Sequence, residues 1–358
     1  MSIWVCGEVL IDLISIAPGS SERAPHVGGG PANTAKALAR LGHDVYFIDG
    51  ISTDAYGVMS RAELLADEVK LDLALTSDKP TCVANVTLDA NGSASYIFEI
   101  DGTATFDFSL DWLPDPSRHQ PKALHIGTLV TIIQPGADVL YDWALQVAEF
   151  APIVFDPNIR PSVMGDRDLY EASVEKWAAI SSVIKVSDDD LAWLFPDKSI
   201  DEVAERWVRD GAALVVITRG SQGLIGFTAD GAVEVPGVKV EVADTVGAGD
   251  TVGAIIVDAN QETFFSDNRF LAFDRLHLNA EGHNRVAQAL LEKLGYEFDP
   301  SWRIPLPPAQ PIPWLKKRVI STIWFFTFAL PWIWRRLRGK SSGDGRSAKY
   351  PTPISWPV

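Results

Sequence analysis

The sequence has no hydrophobic run long enough to cross a membrane, and it has almost no cysteine. The nearest candidate, residues 319–334, has 16 residues and contains Pro331, whereas a spanning helix needs about 20 predominantly apolar residues. The 2 cysteines, Cys6 and Cys82, lie in apolar strand-like runs, which excludes a disulfide framework. Because the N-terminus also lacks a signal-sequence pattern, we expect a cytoplasmic protein.

Positive charge is also scarce. The chain has 31 Lys and Arg against 47 Asp and Glu, a net charge of −16, which excludes nucleic acid as a partner of the main body. Residues 301–358 are the exception, with ten basic residues and one acid, Asp344. The aromatic stretch at 314–338, flanked by basic clusters, predicts weak contact with an anionic membrane surface. The alternative is an exposed segment without a partner, and residues 339–358 are expected to be disordered.

Strand patterns alternate with helix patterns through the middle of the chain. This alternation predicts an α/β fold with a parallel, doubly wound central sheet and helices on both faces. The predicted pairs are strand 123–126 with helix 136–150, strand 152–155 with helix 169–180, and strand 183–186 with helices 189–194 and 200–210, followed by strand 214–218.

The first hundred residues do not follow this alternation. Residues 3–12 predict one buried strand that contains two carboxylates, and residues 53–57 predict a turn after a second strand. An Asn91-Gly92 dipeptide between two β-rich runs predicts a hairpin. We expect this hairpin to belong to a small β lid, formed around residues 12–27 and 81–108.

The segment 244–251 predicts an anion site. It follows a β-branched run, and Gly247 and Gly249 permit a sharp turn and close approach of a ligand to the backbone. A helix that begins there would point unpaired amides and its positive dipole end at an anion. Asp250 would lie beside that anion as a base, which suits phosphoryl transfer. A glycine-rich turn capped by Asp250 is the alternative.

A second glycine loop at residues 28–42 runs into a helix that Gly42 closes. Together the two glycine motifs, in this order and with the segments between them, resemble the ribokinase-like (PfkB) family of sugar kinases, and its fructokinase-like members, over residues 1–258. The resemblance implies a ribokinase-like fold and ATP-dependent phosphorylation of the primary hydroxyl of a sugar, with a ketohexose as the expected substrate. It also implies magnesium, a possible potassium ion, and a possible homodimer through the lid.

The resemblance assigns roles to individual positions on the sugar side. Asp12 is expected to accept hydrogen bonds from sugar hydroxyls. Gly29, Gly30 and Asn33 are expected to form the sugar-binding loop, although Asn33 could instead cap a helix. Arg160, at the end of a central strand, is expected to reach the substrate and the phosphates.

On the phosphate side, Asp250 is implied as the catalytic base, and the amides of Gly247, Ala248 and Gly249 as the anion hole. Backbone oxygens near Asp244 and Thr245 are implied as a monovalent-cation site. The implied nucleotide-binding and phosphate-binding residues are Lys185, Ser187, Asp190, Thr218, Gly220 and Gly223.

One of these motifs departs from the family pattern. Ser187 and Asp190 replace the family's usual Asn-x-x-Glu motif, where Asp190 would serve magnesium. The alternative for this segment is a solvated acidic helix start.

The chain departs from the family after about residue 258. Residues 274–283 resemble the last catalytic block of SGNH (GDSL-type) ester hydrolases, but no Gly-Asp-Ser motif supplies a nucleophile. Asp274 and His277 are therefore expected to be inert. We expect a fusion of a kinase domain (1–258), a hydrolase fragment (259–300) and a Pro- and Trp-rich basic tail (301–358). The alternative functions are a sugar-binding kinase remnant that handles ATP poorly and, third, an ester hydrolase.

Overall fold

A computed structural model describes residues 2–15, 22–88, 94–237, 247–260 and 299–304. The chain forms two compact units, Met1–Asp258 and Ala259–Val358. Several predictions lie outside the described residues: the Asn91-Gly92 turn, the cation site at Asp244 and Thr245, the Asp274 and His277 pair, and the tail beyond residue 304. In the second unit the structure describes a short 3-10 turn, Pro300–Arg303, which Asp299 caps.

The central sheet of the first unit has eight strands in the order β14-β13-β12-β11-β10-β9-β1-β4. Six neighbouring strands of this sheet run parallel: β4, β1, β9, β10, β11 and β12. Strands β13 and β14 add an antiparallel hairpin that the sequence patterns did not predict. The strand bounds are β1 Ile3–Cys6, β4 Val45–Ile48, β9 Ala123–Gly127, β10 Ile153–Asp156, β11 Val183–Ser187, β12 Leu214–Thr218, β13 Gly223–Thr228 and β14 Gly231–Pro236.

Helices cover both faces of this sheet, and alternate residues of each strand point to opposite faces. On one face, Val5 and Phe47 pack with α1, α2 and Ala254 of α8. On the other face, Trp4 and Phe155 pack with α4, α5, α6 and α7. The fold is therefore α/β and doubly wound, as predicted. The helix bounds are α1 Gly30–Arg40, α2 Ala55–Ala66, α3 Pro116–His119, α4 Gly136–Ala148, α5 Arg167–Ala178, α6 Asp188–Leu194, α7 Ile200–Asp210 and α8 Ala248–Asn260.

The predicted single strand at 3–12 is wrong, because Gly7 divides it. Gly7 has φ +154, and a Cβ there would lie 2.2 Å from the Pro31 ring. The chain therefore turns after β1 and enters a second sheet through β2, Leu10–Ser15. As a result Asp12 stands in this second sheet and not at the end of a central strand.

The second sheet has four strands in the order β3-β2-β7-β8. Its other strands are β3 Arg23–Gly28, β7 Val83–Leu88 and β8 Ala94–Glu99. The antiparallel pairing of β7 with β8 agrees with the predicted hairpin arms, and the short strands β5 Gly50–Ser52 and β6 Leu75–Ser77 form a separate pair. Among the described helices, none is long and apolar enough to span a membrane.

The predicted turn at residues 53–57 is the start of helix α2. Asp54 caps this helix by accepting a hydrogen bond from Gly57 N at 2.7 Å. Its carboxylate also accepts from Thr81 N and Thr81 Oγ1. The Asp54 carboxylate thus caps α2 and links its start to Thr81, which lies just before a strand of the second sheet.

Candidate active site

Polar residues collect where the parallel central strands end. Asp156, Ser187 and Thr218 are the last residues of β10, β11 and β12, and Ser187 pairs with Thr218 in the sheet. In open α/β sheets, ligands bind in the crevice outside the carboxyl ends of the strands. The structure therefore brings several predicted site residues to the expected edge of the sheet.

Asp250 lies in the first turn of α8 and is 9% exposed. Its Oδ2 accepts a hydrogen bond from Asn33 Nδ2 at 3.1 Å, and its backbone oxygen accepts from Thr34 Oγ1 at 3.3 Å. Both donors belong to α1, which begins at the other glycine loop. The two motifs are thus neighbours in the fold.

Burial raises the pKa of the Asp250 carboxyl to about 6. The hydrogen bond from Asn33 opposes this shift because it stabilises the ionised form, as do the charges of Lys185 and Arg160, whereas Asp156 adds to the shift. A carboxylate with a pKa near the working pH is suited to take a proton from a hydroxyl group.

Backbone amides at the start of α8 lie beside this carboxylate. Thr251 N bonds back to Gly247 O at 2.9 Å, so the amides that precede it in the first turn have no acceptor within the helix. Gly247 has φ +76, a conformation that favours glycine. The predicted anion hole at Gly247, Ala248 and Gly249 is therefore a helix N-terminus.

The first glycine loop also lies next to the Asp250 carboxylate. A Cβ at Gly30 would lie 3.1 Å from Asp250 Oδ1 and 3.2 Å from Asn158 Nδ2, and one at Gly29 would lie 2.3 Å from Glu8 O. A side chain at Gly30 would fill the space beside the carboxylate, so glycine keeps that space open. At Gly29, which has φ +106, a side chain would instead collide with the Glu8 backbone. Asn33 does not cap α1, which begins at Gly30 with Gly29 as its N-cap. The helix-cap alternative for Asn33 is therefore wrong.

Arg160 is bonded to Asn158, which borders this space. Its Nη1 donates to Asn158 Oδ1 at 2.8 Å, and its backbone N donates to Tyr170 Oη at 3.0 Å. Burial raises the pKa of Asp12, and the positive charges of Arg160 and His26 oppose that shift. Asp12 and Arg160 are thus electrostatic neighbours, although they come from different sheets.

The Ser187 and Asp190 motif forms a capping box at the start of α6. Asp190 N donates to Ser187 Oγ at 3.0 Å, and Asp190 Oδ2 accepts from Ser187 N at 3.4 Å. Asp190 Oδ1 accepts from Ile159 N at 3.0 Å. These bonds fix the loop that carries Arg160, so the structure gives this motif a local role of its own.

The remaining phosphate-side residues lie around the end of β12. Thr218 Oγ1 donates to Val186 O at 3.5 Å, and Gly220 and Gly223 have φ +51 and +94. A Cβ at Gly223 would lie 2.0 Å from Val235 O, so this glycine serves the β13–β14 pairing. Gly220 has nothing within 4 Å of a Cβ position. Lys185 is buried and paired with Asp156 at 2.8 Å.

Sequence reasoning missed Glu8 as a neighbour of the site. It is 2% exposed, and burial raises its pKa to about 8; Thr128, Arg160 and Asp250 are among the groups that influence it. Thr128 and Asn158 have φ +63 and +39, which non-glycine residues rarely adopt and which often marks functional sites. The available signal was the charge of Glu8 inside an apolar run, but the sequence does not show which side chains surround it.

Comparison with known proteins gives this geometry a family. Residues 2–262 match the pfkB family of carbohydrate kinases. The chain belongs to this family. It is 38% identical over 257 residues to a fructokinase of Rhizobium leguminosarum bv. trifolii, across 71% of this chain and 78% of that relative.

Solved structures of carbohydrate kinases agree with this assignment. A fructokinase from Xylella fastidiosa with bound ATP superposes with a TM-score of 0.67 at 26% identity, covering 73% of this chain and 82% of that one. A fructokinase from Vibrio cholerae O395 with fructose, ADP and calcium superposes with a TM-score of 0.65 at 26% identity, covering 73% and 85%. The fold is therefore the ribokinase-like α/β fold, as the resemblance implied.

The described residues do not form a protein site for magnesium. Among them, no three His, Cys, Asp or Glu side chains come together in a way that would hold a metal ion. Asp190, the predicted ligand, already accepts hydrogen bonds at both oxygens. Magnesium in kinases is commonly held by substrate phosphates and water together with one or two carboxylates, so such a site would be completed by the nucleotide.

Proposed function

We propose that this carbohydrate kinase transfers the γ-phosphoryl group of ATP to the primary hydroxyl of a ketohexose, with fructose as the first candidate. The observation that carries the proposal is Asp250, a buried carboxylate with a pKa of about 6 in the first turn of a helix, where the leading amides have no acceptor within the helix. The names of its relatives support the substrate class, since a fructokinase is 38% identical to this chain.

Asp250 acts as the general base. Its ionised carboxylate takes the proton from the sugar hydroxyl as the hydroxyl oxygen forms a bond to the γ-phosphorus and the bond from that phosphorus to the leaving ADP oxygen breaks. The amides of Gly247, Ala248 and Gly249 donate to the phosphoryl oxygens, whose negative charge they stabilise. Asn33 holds the carboxylate in place through its 3.1 Å hydrogen bond.

The sugar occupies the space beside Asp250 that Gly30 keeps open, with Gly29 in the same loop. Asp12 accepts hydrogen bonds from its hydroxyls, and Arg160 contributes positive charge near both substrate and phosphate. This assignment is supported by Arg160, whose positive charge lowers the pKa values of both Asp12 and Asp250.

ATP binds along the carboxyl ends of β11 and β12 in this proposal. The residues assigned to it are Ser187, Asp190, Thr218, Gly220 and Gly223, with Lys185 beneath them. Magnesium would be carried by the nucleotide phosphates, and a potassium ion near Asp244 and Thr245 remains a prediction about residues outside the described part of the chain.

An activity assay tests the proposal directly. The purified protein is incubated with ATP, magnesium and either fructose, glucose or ribose, and ADP release is measured against Asp250→Asn as the control. We expect fructose-dependent ADP release that the variant loses. If no sugar raises ADP release above the variant's level, the kinase proposal is wrong.

Calorimetry separates the remnant alternative from an active kinase. That alternative is suggested by the end of the family match at residue 262. Fructose binding without measurable ATP binding would support it. Four predictions from sequence remain untested: the hydrolase fragment at 259–300, contact of 314–338 with membranes, a homodimer through the lid, and a cytoplasmic location.

A further inference from the structure

Three polar side chains from neighbouring strands lie beneath helix α8. His125, Asp156 and Lys185 come from β9, β10 and β11, and each is at most 5% exposed. In the sheet register, Val154 pairs with both His125 and Val183. Asp156 and Lys185 follow two residues later on the same face. We call these three residues the buried polar cluster.

Only part of the hydrogen-bonding capacity of this cluster is used. Lys185 Nζ donates to Asp156 Oδ2 at 2.8 Å. Within the described part of the chain, Asp156 Oδ1 and both ring nitrogens of His125 have no hydrogen-bond partner. Buried polar groups are costly when unpaired, so their position on the central strands calls for a physical reason.

Helix α8 is open toward the cluster at two glycines, one turn apart. A Cβ at Gly249 would lie 3.0 Å from Lys185 Nζ, and a Cβ at Gly253 would lie 3.5 Å from His125 Nε2. The bare helix backbone therefore faces the cluster at both positions, closely at Gly249 and at an ordinary contact distance at Gly253. Gly249 directly precedes Asp250, so the contact lies directly under the reacting end of the helix.

We propose that the buried polar cluster is a positioning device for the kinase reaction, in which Lys185, held by Asp156, supports the first turn of α8 and sets the electrostatic environment of Asp250. The proposal rests on the proposed function, because it takes Asp250 as the base. In this proposal Lys185 acts on the reaction through Asp250, and not through direct contact with phosphate. His125 contacts the same helix one turn further on.

Several groups around Asp250 change its pKa. Burial is the main reason that its pKa is raised; Asp156 raises it further, and Lys185 and Arg160 lower it. The charge of Asp250 in turn raises the pKa of Glu8, which lies on the segment between the two sheets. Lys185 and Asp156 therefore shift the Asp250 pKa in opposite directions. Replacing Lys185 should raise this pKa, and replacing Asp156 should lower it.

The test is the pH dependence of kcat/KM for sugar phosphorylation. In Lys185→Met, we expect the acidic limb to move up by about one pH unit, the usual scale for loss of a nearby opposite charge. The rate should fall at pH 7 and recover toward the wild-type value at pH 9. In Asp156→Asn, the limb should move down. Lys176→Met, which breaks an exposed pair with Asp138, is the matched control and should leave the limb in place.

A purely structural role predicts a different result, namely losses that are the same at every pH. That result, or limbs that move in the same direction in the two variants, would overturn the proposal. If either single variant fails to fold, the uncharged pair Asp156→Asn with Lys185→Met replaces it, since removing both charges of a buried pair is well tolerated. Its kcat should fall at least about threefold, because the support under Gly249 is lost; an unchanged kcat would count against the cluster.

A second measurement does not need turnover. Titration of carbon-13-labelled aspartate by NMR, with the Asp250 signal identified by its loss in Asp250→Asn, reports the same shifts directly. A wild-type protein that phosphorylates no sugar would overturn the proposed function. Opposite shifts of the Asp250 titration in Lys185→Met and Asp156→Asn would still support the cluster, and unmoved titrations would refute it.

Discussion

The side-chain amide of Asn33 donates a hydrogen bond to Asp250 Oδ2 at 3.1 Å, across 217 positions of the chain. This bond joins the two glycine motifs into one site. Since it stabilises the ionised carboxylate, it opposes the rise in the Asp250 pKa that burial causes. The two motifs therefore depend on each other chemically as well as spatially.

Replacing Asn33 should move the acidic limb of kcat/KM to higher pH. In Asn33→Ala the carboxylate loses a donor, and in Asn33→Asp it gains a negative neighbour, so the shift should be larger in the second variant. Initial rates between pH 5 and 9 would show this order. Thr34→Val removes only the bond to the Asp250 backbone oxygen and should leave the limb in place. A larger shift in Thr34→Val than in Asn33→Asp would contradict the assignment.

Asp250→Asn should stabilise the protein while it abolishes activity. Burial raises the Asp250 pKa from 3.8 to about 6, so its contribution to stability is complete below pH 3.8 and is lost as the pH rises through about 6. The variant should gain about 3 kcal/mol at pH 8, and the gain should vanish near pH 4. Denaturant unfolding at both pH values measures it. An equal gain in unfolding free energy at the two pH values would mean that burial does not raise the pKa of the Asp250 carboxyl.

Glu8→Gln should change stability in a pH-dependent way. The Glu8 pKa is raised from 4.5 to about 8 by burial, so the folded protein keeps a proton that the unfolded chain releases. The wild type should lose about 1.4 kcal/mol per pH unit relative to the variant between pH 5 and 8, with a plateau above pH 8. Unfolding free energies across this range test the slope. A constant difference would show that Glu8 ionises normally in the folded state.

The two glycines of α8 should respond differently to alanine. At Gly249 a Cβ would lie 3.0 Å from Lys185 Nζ, which its bond to Asp156 restrains, so Gly249→Ala should lower kcat by about tenfold. At Gly253 the nearest atom would be at 3.5 Å, an ordinary contact. Gly253→Ala should keep its activity and gain up to about 1 kcal/mol from helix propensity. Comparable losses of kcat in the two variants would be evidence against close support beneath Gly249.

Local signals predicted much of the fold. The predicted bounds of helix α7, Ile200–Asp210, and strand β12, Leu214–Thr218, agree with the structure. In the structure, Ser199 and Glu202 form a capping box at the start of α7, and Gly211 ends it with φ +140. Helix α2 was missed because Thr53, Asp54 and Gly57 suggest a turn, whereas Asp54 is its N-cap. The division of the first strand at Gly7 depends on the close approach of Pro31, which only the folded structure shows.

The sequence predicted the motifs of the candidate site but not the contacts between its side chains. Glycine loops and Asp250 carry local signals for an anion site and a base, and the structure brings them together. The positions of Glu8 and His125 depend on what surrounds them, since a single charged or polar residue in an apolar strand does not reveal its neighbours. The same is true of the hydrogen bond that the Ile159 amide donates to Asp190 Oδ1, which gives that carboxylate a local role.

Fructose-dependent ADP release by the wild type, compared with Asp250→Asn at equal protein concentration, tests the central claim most directly. Loss of a general base lowers the rate by about 10²–10⁴-fold, and the variant should remain folded, with a raised melting temperature at pH 8. We predict that the wild type phosphorylates fructose and that the variant is at least about a hundred times slower. Equal rates of fructose-dependent ADP release in the two proteins would contradict the account.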